Sequence, residues 1–447
     1  MGGTLELHLD AVGRNEMTSG GSKQKRATVI GGSIGGLFVG LFLRKAGWHV
    51  EIYERVSDEI KSRGAGIVTH APLFDALRRV DATPQGEVGV AVEGRRVFSS
   101  DGQVAGSLPF PQVLTSWDRL YRLLFDRFPR EQYHQGAALV SIRQQEGEVF
   151  ATFEDGYAVR SDLLIGADGH RSTVRAQYAP AIRPEYAGYV AWRGLVQESA
   201  LSQATRDAVF RHFAFSLPEH EQMLGYPVAG ADEDMRPGHR RYNFVWYRPA
   251  DERTELRRLL TDKSGINNGM SVAPNAIRPE ILDEMRRDAD RLLSPQFAEI
   301  VHRTELPLIQ PIYDVASQQL VFDRVVLLGD AAFVARPHCG MGVTKAAQDA
   351  SALFDSIIEE ANLDLALVRY QSERTPFGTR IVQHAQALGA YMQAQIASAE
   401  ERRDVEKYRT VEAVMKETAA STFLEDYAVS LASGTKERLI SLLEVIG

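Results

Sequence analysis

The sequence predicts an α/β chain: a mostly parallel sheet, an antiparallel α+β layer inserted into it, and a helical C-terminal region. Three observations predict this. Short apolar runs at Ala27–Ile30, Leu163–Ile165 and Val325–Leu328 lie beside glycines and read as buried parallel strands. Tyr186 to Tyr247 carries a succession of strand-like runs, YVAWRGLV, AVFRHFAF, QMLGYPVAG and RRYNFVWY, which read as a separate sheet layer. From Gly342 onward helical patterns dominate.

The elements follow in order. Residues 1–26 are rich in Gly, Ser and Lys and read as a disordered leader. Ala27–Ile30 is the first strand. Ile34–Ala46 has Leu37, Leu41 and Phe42 at helical spacing, and Gly47 stops it. His49–Tyr53 is a second strand, completing a βαβ opening. Between Gly136 and Arg160 the runs ALVSI and VFATFE, with a hairpin signal at Asp155-Gly156, predict two or three strands. Residues 250–303 read as largely helical. Residues 399–447 are amphipathic and read as a helical cap on the core or as a dimer contact.

Composition bounds the function. At roughly 100–200 residues per domain, 447 residues make two or three domains. A net charge of −8 argues against a nucleic-acid binder, which needs a basic face. The single cysteine, Cys339, excludes an internal disulfide framework and fits a cytoplasmic location. No run of about 18 apolar residues predicts a membrane span. His, Asp and Glu do not recur at metal spacing, so no metal is expected.

Three motifs carry chemistry. The first is Val29-Ile30-Gly31-Gly32-Ser33-Ile34-Gly35-Gly36, at the strand-to-helix turn of the βαβ opening. A dinucleotide turn needs glycine for tightness and close backbone approach, and a helix N-terminus to meet the pyrophosphate. Gly31 and Gly36 take the first and third places, and Ser33 replaces the middle glycine. Glu54 ends the second strand at the spacing, about 20 residues on, where an acid accepts from ribose hydroxyls. It suits the adenosine of FAD or NAD better than that of NADP; alone it would read as a solvated strand end. Arg55 and Arg63 follow, and Arg63 precedes Gly64-Ala65-Gly66-Ile67, a stretch suited to approach a flat ring or a phosphate. The second motif is Ile165-Gly166-Ala167-Asp168-Gly169-His170-Arg171-Ser172-Thr173-Val174-Arg175. The third is Leu327-Leu328-Gly329-Asp330-Ala331-Ala332, continuing through Arg336-Pro337-His338-Cys339-Gly340-Met341-Gly342-Val343 to Asp349-Ala350. Each places an acid at the C-terminal end of a buried strand, the edge where α/β sheets bind ligands. Gly340–Gly342 opens a helix whose amides can face an anionic ring edge.

In this order the three motifs resemble those of the single-component FAD-dependent aromatic hydroxylases, a family of flavoprotein monooxygenases, over residues 27–395. Within the family the wording is closest to the branch that hydroxylates dihydroxypyridines. That likeness rests on the Gly31–Ile34 turn, Gly66-Ile67-Val68, Tyr186-Ala187-Gly188-Tyr189-Val190-Ala191-Trp192-Arg193-Gly194, and Gly329–Ala332 followed by Arg336-Pro337-His338. Phe333 stands where the family commonly has His, Gly340-Met341-Gly342-Val343-Thr344 replaces a commoner G-Q-G-x-N, and Trp117 replaces an Arg that contacts the cofactor.

The resemblance implies an FAD-binding Rossmann-like domain with an inserted antiparallel β-sheet substrate domain. It divides the chain into a leader (1–26), FAD-binding pieces (27–100, 101–180 and 306–395), a mainly substrate-binding piece (181–305) and a C-terminal extension (396–447). It places Asp330 on the ribityl chain. It assigns Asp168, Gly169 and Arg175 to holding FAD and to nicotinamide binding. Gly31, Ser33, Ile34, Gly36, Glu54, Arg55, Arg63, Gly66, Pro337, Gly340, Met341, Gly342 and Val343 complete the expected cofactor site. The implied partners are NADH or NADPH, which reduces FAD, then O2, which forms a flavin C4a-hydroperoxide, and a small electron-rich aromatic or N-heteroaromatic ring that takes the oxygen. A flavin-dependent epoxidase, a Baeyer–Villiger-type oxygenase or a reductase on the same scaffold is the alternative.

Deprotonating a substrate hydroxyl favours such chemistry, so a base with a pKa near the working pH is expected. Candidates are His70, Tyr226 and His338, each of which also reads as a structural residue. Gln222–Val228 and Arg241–Tyr247 should floor the pocket, with Gln222, Leu224 and Asn243 as substrate contacts. Alternation puts Gln222, Leu224 and Tyr226 on one face and Asn243, Val245 and Tyr247 on one face, without deciding which face looks inward. Cys339 reads as a packing residue.

Overall fold

The computed structural model describes residues 24–57 and 66–424. The expected leader up to residue 23, Arg63 with Gly64 and Ala65, and the extension beyond residue 424 lie outside the described residues. The chain opens on β1 (Arg26–Ile30), α1 (Ile34–Lys45) and β2 (His49–Glu54), so the predicted βαβ unit forms within a residue at each end. β3 (Gly66–Val68), α2 (Ala71–Arg79), β4 (Val90–Phe98), β5 (Val104–Ser116) and α3 (Trp117–Phe125) follow. Next come β6 (Tyr133–Gln135), the meander β7 (Leu139–Gln145), β8 (Glu148–Phe153) and β9 (Ala158–Ser161), then β10 (Leu163–Gly166) and α4 (Thr173–Tyr178).

The middle of the chain holds β11 (Glu185–Gln197), α5 (Gln203–Val209), β12 (His212–Ser216), β13 (Gln222–Val228), β14 (Arg241–Pro249), the single turn α6 (Arg257–Leu259), α7 (Pro279–Leu292) and α8 (Pro295–His302). Residues 250–303 are less helical than expected. Between α6 and α7 the chain turns through Gly265 and Gly269, both at positive φ, and the proline at 274 keeps it irregular. The last part comprises β15 (Leu308–Ala316), β16 (Val321–Phe322), β17 (Val325–Leu327), β18 (Phe333–Val334), α9 (Gly342–Glu359), α10 (Leu363–Gly389), α11 (Ala399–Tyr408) and α12 (Val411–Glu417).

Two large sheets organise these elements. The first has the order β16-β17-β10-β1-β2-β6 and is parallel except at its β16 edge. Ile30 lies opposite Gly166 and Gly166 opposite Leu327, so the three motifs leave the sheet side by side at one edge. The second sheet has the order β18-β15-β11-β14-β13-β12-β4-β5-β3. Residues 66–116, which follow the first nucleotide motif in sequence, pair into this second sheet. The reason is non-local: β4 pairs in parallel with β12, over a hundred residues away.

Each face of the second sheet has its own core. Met223, Tyr242, Phe244 and Trp246 pack on Ile281, Met285 and Phe297 of α7 and α8. Leu224, Tyr226, Val245 and Tyr247 face Val68, Cys339 and Met341. α10 joins the two sheets, burying Leu367, Tyr370 and Val382 against the first and Phe377, Ile381 and Ala385 against the second. Val405, Tyr408, Val414 and Met415 of α11 and α12 complete the core on this side. Among the described residues no helix is long and apolar enough to cross a membrane.

Candidate active site

The site lies where the edge of the first sheet meets the inner face of the second. After β1, Gly31 turns at φ +102°, a left-handed conformation that favours glycine, and its N–H donates to the Tyr53 carbonyl at 2.9 Å. A Cβ at Gly36 would overlap the Gly31 carbonyl oxygen, so the helix packs on the turn only with glycine there. Ser33 is the N-cap of α1, yet its side chain caps nothing. The first intrahelical bond runs from Leu37 N–H to Ser33 C=O, so the N–H groups of Ile34, Gly35 and Gly36 precede it and are open to an anion. Glu54 is 8% exposed, and its carboxylate accepts from Gly32 N–H at 2.8 Å and Val56 N–H at 3.0 Å. Each oxygen keeps a further lone pair for a ribose hydroxyl. Arg55 is exposed beside it.

The turn after β10 is locked from within. Asp168 accepts from the Ser172 hydroxyl at 2.5 Å and from the N–H groups of Thr173 and Val174 at 2.7 and 3.1 Å, capping α4. The buried Arg175 donates to the Ala331 carbonyl at 2.9 Å and to the Asp330 carbonyl at 3.4 Å, tying this turn to the next. These two predicted cofactor residues therefore shape the edge through other groups.

The turn after β17 carries Asp330, whose side chain is 48% exposed. Gly329 N–H donates to Asp349 at 2.9 Å, and the buried Arg374 holds the other Asp349 oxygen at 2.7 Å. The buried Arg336–Asp314 pair, at 2.9 Å, anchors the following turn of Pro337, His338 and Cys339. Gly340 reverses the chain at φ +70°, Met341 is fully buried, and Gly342 and Val343 open α9. Burial pushes the Cys339 thiol up to about 12, which leaves it a packing group.

Strand register decides the pocket face. Gln222 lies opposite Tyr247, Leu224 opposite Val245 and Tyr226 opposite Asn243, so all six share one face, the one that looks toward Cys339 and Met341. Asn243 accepts from Gly66 N–H at 3.1 Å. The Tyr189 hydroxyl and His338 Nε2 are 2.8 Å apart, and His70 Nε2 is 3.3 Å from the Gly340 carbonyl. A carbonyl only accepts, so His70 carries its proton on Nε2 and Nδ1 is the acceptor. The expectation of a base near the working pH is not met by these three. Burial draws His70 down to about 4, holds His338 well below its usual value and raises the Tyr226 phenol. Two atoms of this face, Gln222 Oε1 and Asn243 Nδ2, are buried without a hydrogen-bond partner, as are His338 Nδ1 and the Tyr391 hydroxyl packed near it.

Two features were not legible in the motifs. Arg95 of β4 is fully buried and donates to the carbonyls of Met415, Thr418 and Ala419, at 2.7, 2.6 and 3.0 Å, where α12 ends. Ala419 N–H then reaches the His338 carbonyl at 2.8 Å, and Gln222 Nε2 the Thr418 hydroxyl at 3.4 Å. The segment after α12 is thus fastened over the inner face of the second sheet. The other is Lys345, fully buried in the first turn of α9. A cleft of about 170 Å³ between Trp192, Arg248 and Met285 lies on the opposite face of the sheet and belongs to neither feature.

Comparison with known proteins decides the family. Residues 186–314 match the model of the FAD binding domain-like family. The chain is 31% identical over 376 residues to 2,6-dihydroxypyridine 3-monooxygenase of Paenarthrobacter nicotinovorans, covering 82% of this chain and 91% of that protein. The chain belongs to the FAD-dependent aromatic hydroxylases. Salicylate hydroxylase of Pseudomonas putida is a further relative, 26% identical over 80% of this chain and 84% of its own length. The structure of 2,6-dihydroxypyridine-3-hydroxylase from Arthrobacter nicotinovorans superimposes with a TM-score of 0.78 at 29% identity, covering 84% of this chain and 94% of that one. A Klebsiella pneumoniae protein solved with FAD and uric acid shares the fold, with a TM-score of 0.68 at 22% identity over 88% and 93% of the two chains. The hydroxylase is a flavoprotein, and its residues fit FAD. The open amides of α1 and the glycine cradle at Gly31 and Gly36 suit a pyrophosphate, and the edge of three adjacent turns continues from there to the inner face of the second sheet.

Proposed function

We propose that this hydroxylase adds one oxygen atom from O2 to a small hydroxylated aromatic or N-heteroaromatic ring, such as a dihydroxypyridine, at the expense of NADH or NADPH. FAD, once reduced, supplies the oxygen-activating chemistry. One observation carries the substrate class: Gln222 Oε1 and Asn243 Nδ2 on the inner face of the sheet, and His338 Nδ1 in the turn across from it, are buried and unpartnered among mainly apolar and aromatic side chains. A flat ring with hydroxyl or ring-nitrogen groups satisfies them, and a purely apolar ring leaves them desolvated.

In this reading Asn243 Nδ2 donates to a ring oxygen and Gln222 Oε1 accepts from a ring hydroxyl or N–H. Leu224 lies under the ring plane. Neutral His70 offers Nδ1 as a hydrogen-bond acceptor. The linked Tyr189 and His338 form a relay beside the flavin turn, and the high-pKa Tyr226 remains a donor. None of His70, Tyr226 and His338 titrates near neutrality, so their part is to orient the ring and polarise its hydroxyl. The segment after α12 excludes water from the reacting ring. Gly31, Ser33, Ile34 and Gly36 take the pyrophosphate, Glu54 and Arg55 the adenosine, Asp330 the ribityl chain, and Gly66 with Pro337–Val343 the ring. Asp168 and Arg175 hold the edge on which this depends. The division into FAD-binding and substrate-binding parts is proposed with residues 66–116, which pair into the second sheet, moved to the boundary between them, and a cytoplasmic location accords with the lone, buried Cys339.

The test is a screen of NADH and NADPH oxidation by the yellow holoenzyme against phenols and hydroxypyridines. Substrate-stimulated oxidation with a product heavier by one oxygen is expected. Asn243→Ala should raise KM about tenfold for the best substrate, as the loss of one buried hydrogen bond would. Holoenzyme whose NAD(P)H oxidation no ring compound stimulates would overturn the reading. A product with a lactone or an epoxide would move it to the corresponding oxygenase class.

A further inference from the structure

Lys345 is a buried cation whose surroundings in the protein are incomplete. It lies in the first turn of α9 and has no exposed surface. Its ammonium is without a hydrogen-bond partner. The nearest acid, Asp330, stands 3.5 Å away with its side chain 48% exposed. The hydroxyl of the preceding Thr344 is also buried and unpartnered. The first intrahelical bond of α9 runs from Lys345 N–H to Met341 C=O at 2.7 Å, and Met341 offers no cap, so the N–H groups of Gly342, Val343 and Thr344 also precede the ladder.

Removing an ammonium from water is costly unless it is paired and hydrogen-bonded. A single pair at 3.5 Å does not complete three donors. Lys345 has no surface that a ligand could touch, so what it can offer is its charge, felt through the protein around Asp330. The position indicates what feels that charge. The Ala346 methyl lies against Gly35 of α1 and Gly329 after β17, so this helical turn faces the cofactor edge. Met341 and Cys339, on its other side, belong to the core that faces the substrate strands. Lys345 therefore sits where the nucleotide end of the edge gives way to the ring end.

We infer that Lys345 supplies the fixed positive charge for the redox ring of FAD and holds the reduced cofactor more tightly than the oxidised one. The inference rests on this chain being an FAD protein, as its family is. Two-electron reduction with uptake of one proton adds one negative charge to the flavin, which delocalises over the pyrimidine edge of the ring. A cation fixed in a water-excluded site acts on that charge without reorganising, and the amides of the first turn of α9 add to it. In this role Lys345 tunes the cofactor; it transfers no proton.

The midpoint potential of bound FAD, titrated on the holoenzyme against a reference dye, tests this. In Lys345→Met the affinity for reduced FAD is expected to fall about tenfold relative to that for oxidised FAD, which lowers the potential by about 30 mV. Lys345→Arg should keep the wild-type potential. The affinity of each apoprotein for oxidised FAD is measured in parallel by flavin fluorescence. An unchanged potential in Lys345→Met overturns the inference, whether oxidised FAD is held as before or more weakly; the weaker case would assign the charge to the pyrophosphate. If Lys345→Met takes up no FAD, Lys345→Gln is measured in its place, and loss of oxidised FAD there also overturns it. Wild-type protein that binds no FAD would be a failure of the cofactor assignment instead.

Discussion

At the scale of single residues the site combines groups that local sequence reveals with groups that burial creates. Glu54 was visible from its spacing, but its carboxylate also closes the Gly32 turn, which no spacing rule states. His70 was visible as a histidine near a glycine stretch. What it does depends on burial, which holds it neutral with a pKa of about 4. An unfolded histidine titrates near 6.5, so between these values the unfolded chain binds more protons. The stability that neutral His70 allows is complete above about pH 6.5 and is lost as the pH falls toward 4, in all about 3 kcal/mol. His70→Gln should flatten the dependence of Tm on pH across this window by the equivalent of one proton. A pH profile identical to the wild type would show that His70 is solvated in the native protein.

At the scale of elements the segment after α12 is held by several bonds, of which Arg95 makes the most. Arg95 donates to three carbonyls at the end of α12, one of which, that of Ala419, also accepts from Gln112 Nε2 at 3.1 Å, and Gln112 Oε1 braces Arg95 at 2.8 Å. Its guanidinium has no carboxylate partner among these contacts, and burial draws it down to about 9. Arg95→Met removes its donors and leaves the Met415 and Thr418 carbonyls buried without them. The expected cost is about 3 kcal/mol, as for hydrogen bonds to a charged group. Amide exchange should rise across residues 411–424, and KM for the ring substrate should rise while FAD affinity holds. Exchange confined to β4, with 411–424 still protected, would contradict this role of Arg95. In the sequence Arg95 is one arginine of a pair in the run Val90–Phe98, and nothing there shows that it turns inward. β4 and β5 themselves carry no motif. Their place in the second sheet follows from pairing with β12, a contact across more than a hundred residues.

At the scale of the whole molecule the two sheets meet along the proposed cofactor edge, and α10 runs between their cores. With FAD seated in that junction, as proposed, binding and folding are linked. Raising free FAD to a hundred times its Kd should stabilise the protein by about 2.7 kcal/mol and raise Tm by a few degrees. A Tm independent of FAD would mean that the junction forms without it and does not contact it.

The cofactor class, the three turns and the βαβ opening were legible in the amino acids because each is local. Glycine is required where the backbone folds tightly or approaches closely, an acid ends a strand at a set spacing, and apolar runs of a few residues are buried strands. The inward face of β13 and β14, the buried state of Lys345, the neutrality of His70 and the fastening of the segment after α12 over the second sheet belong to the tertiary structure. Alternation along a strand fixes two faces but not which one meets the rest of the protein. Burial and pairing are set by elements that arrive from distant parts of the chain.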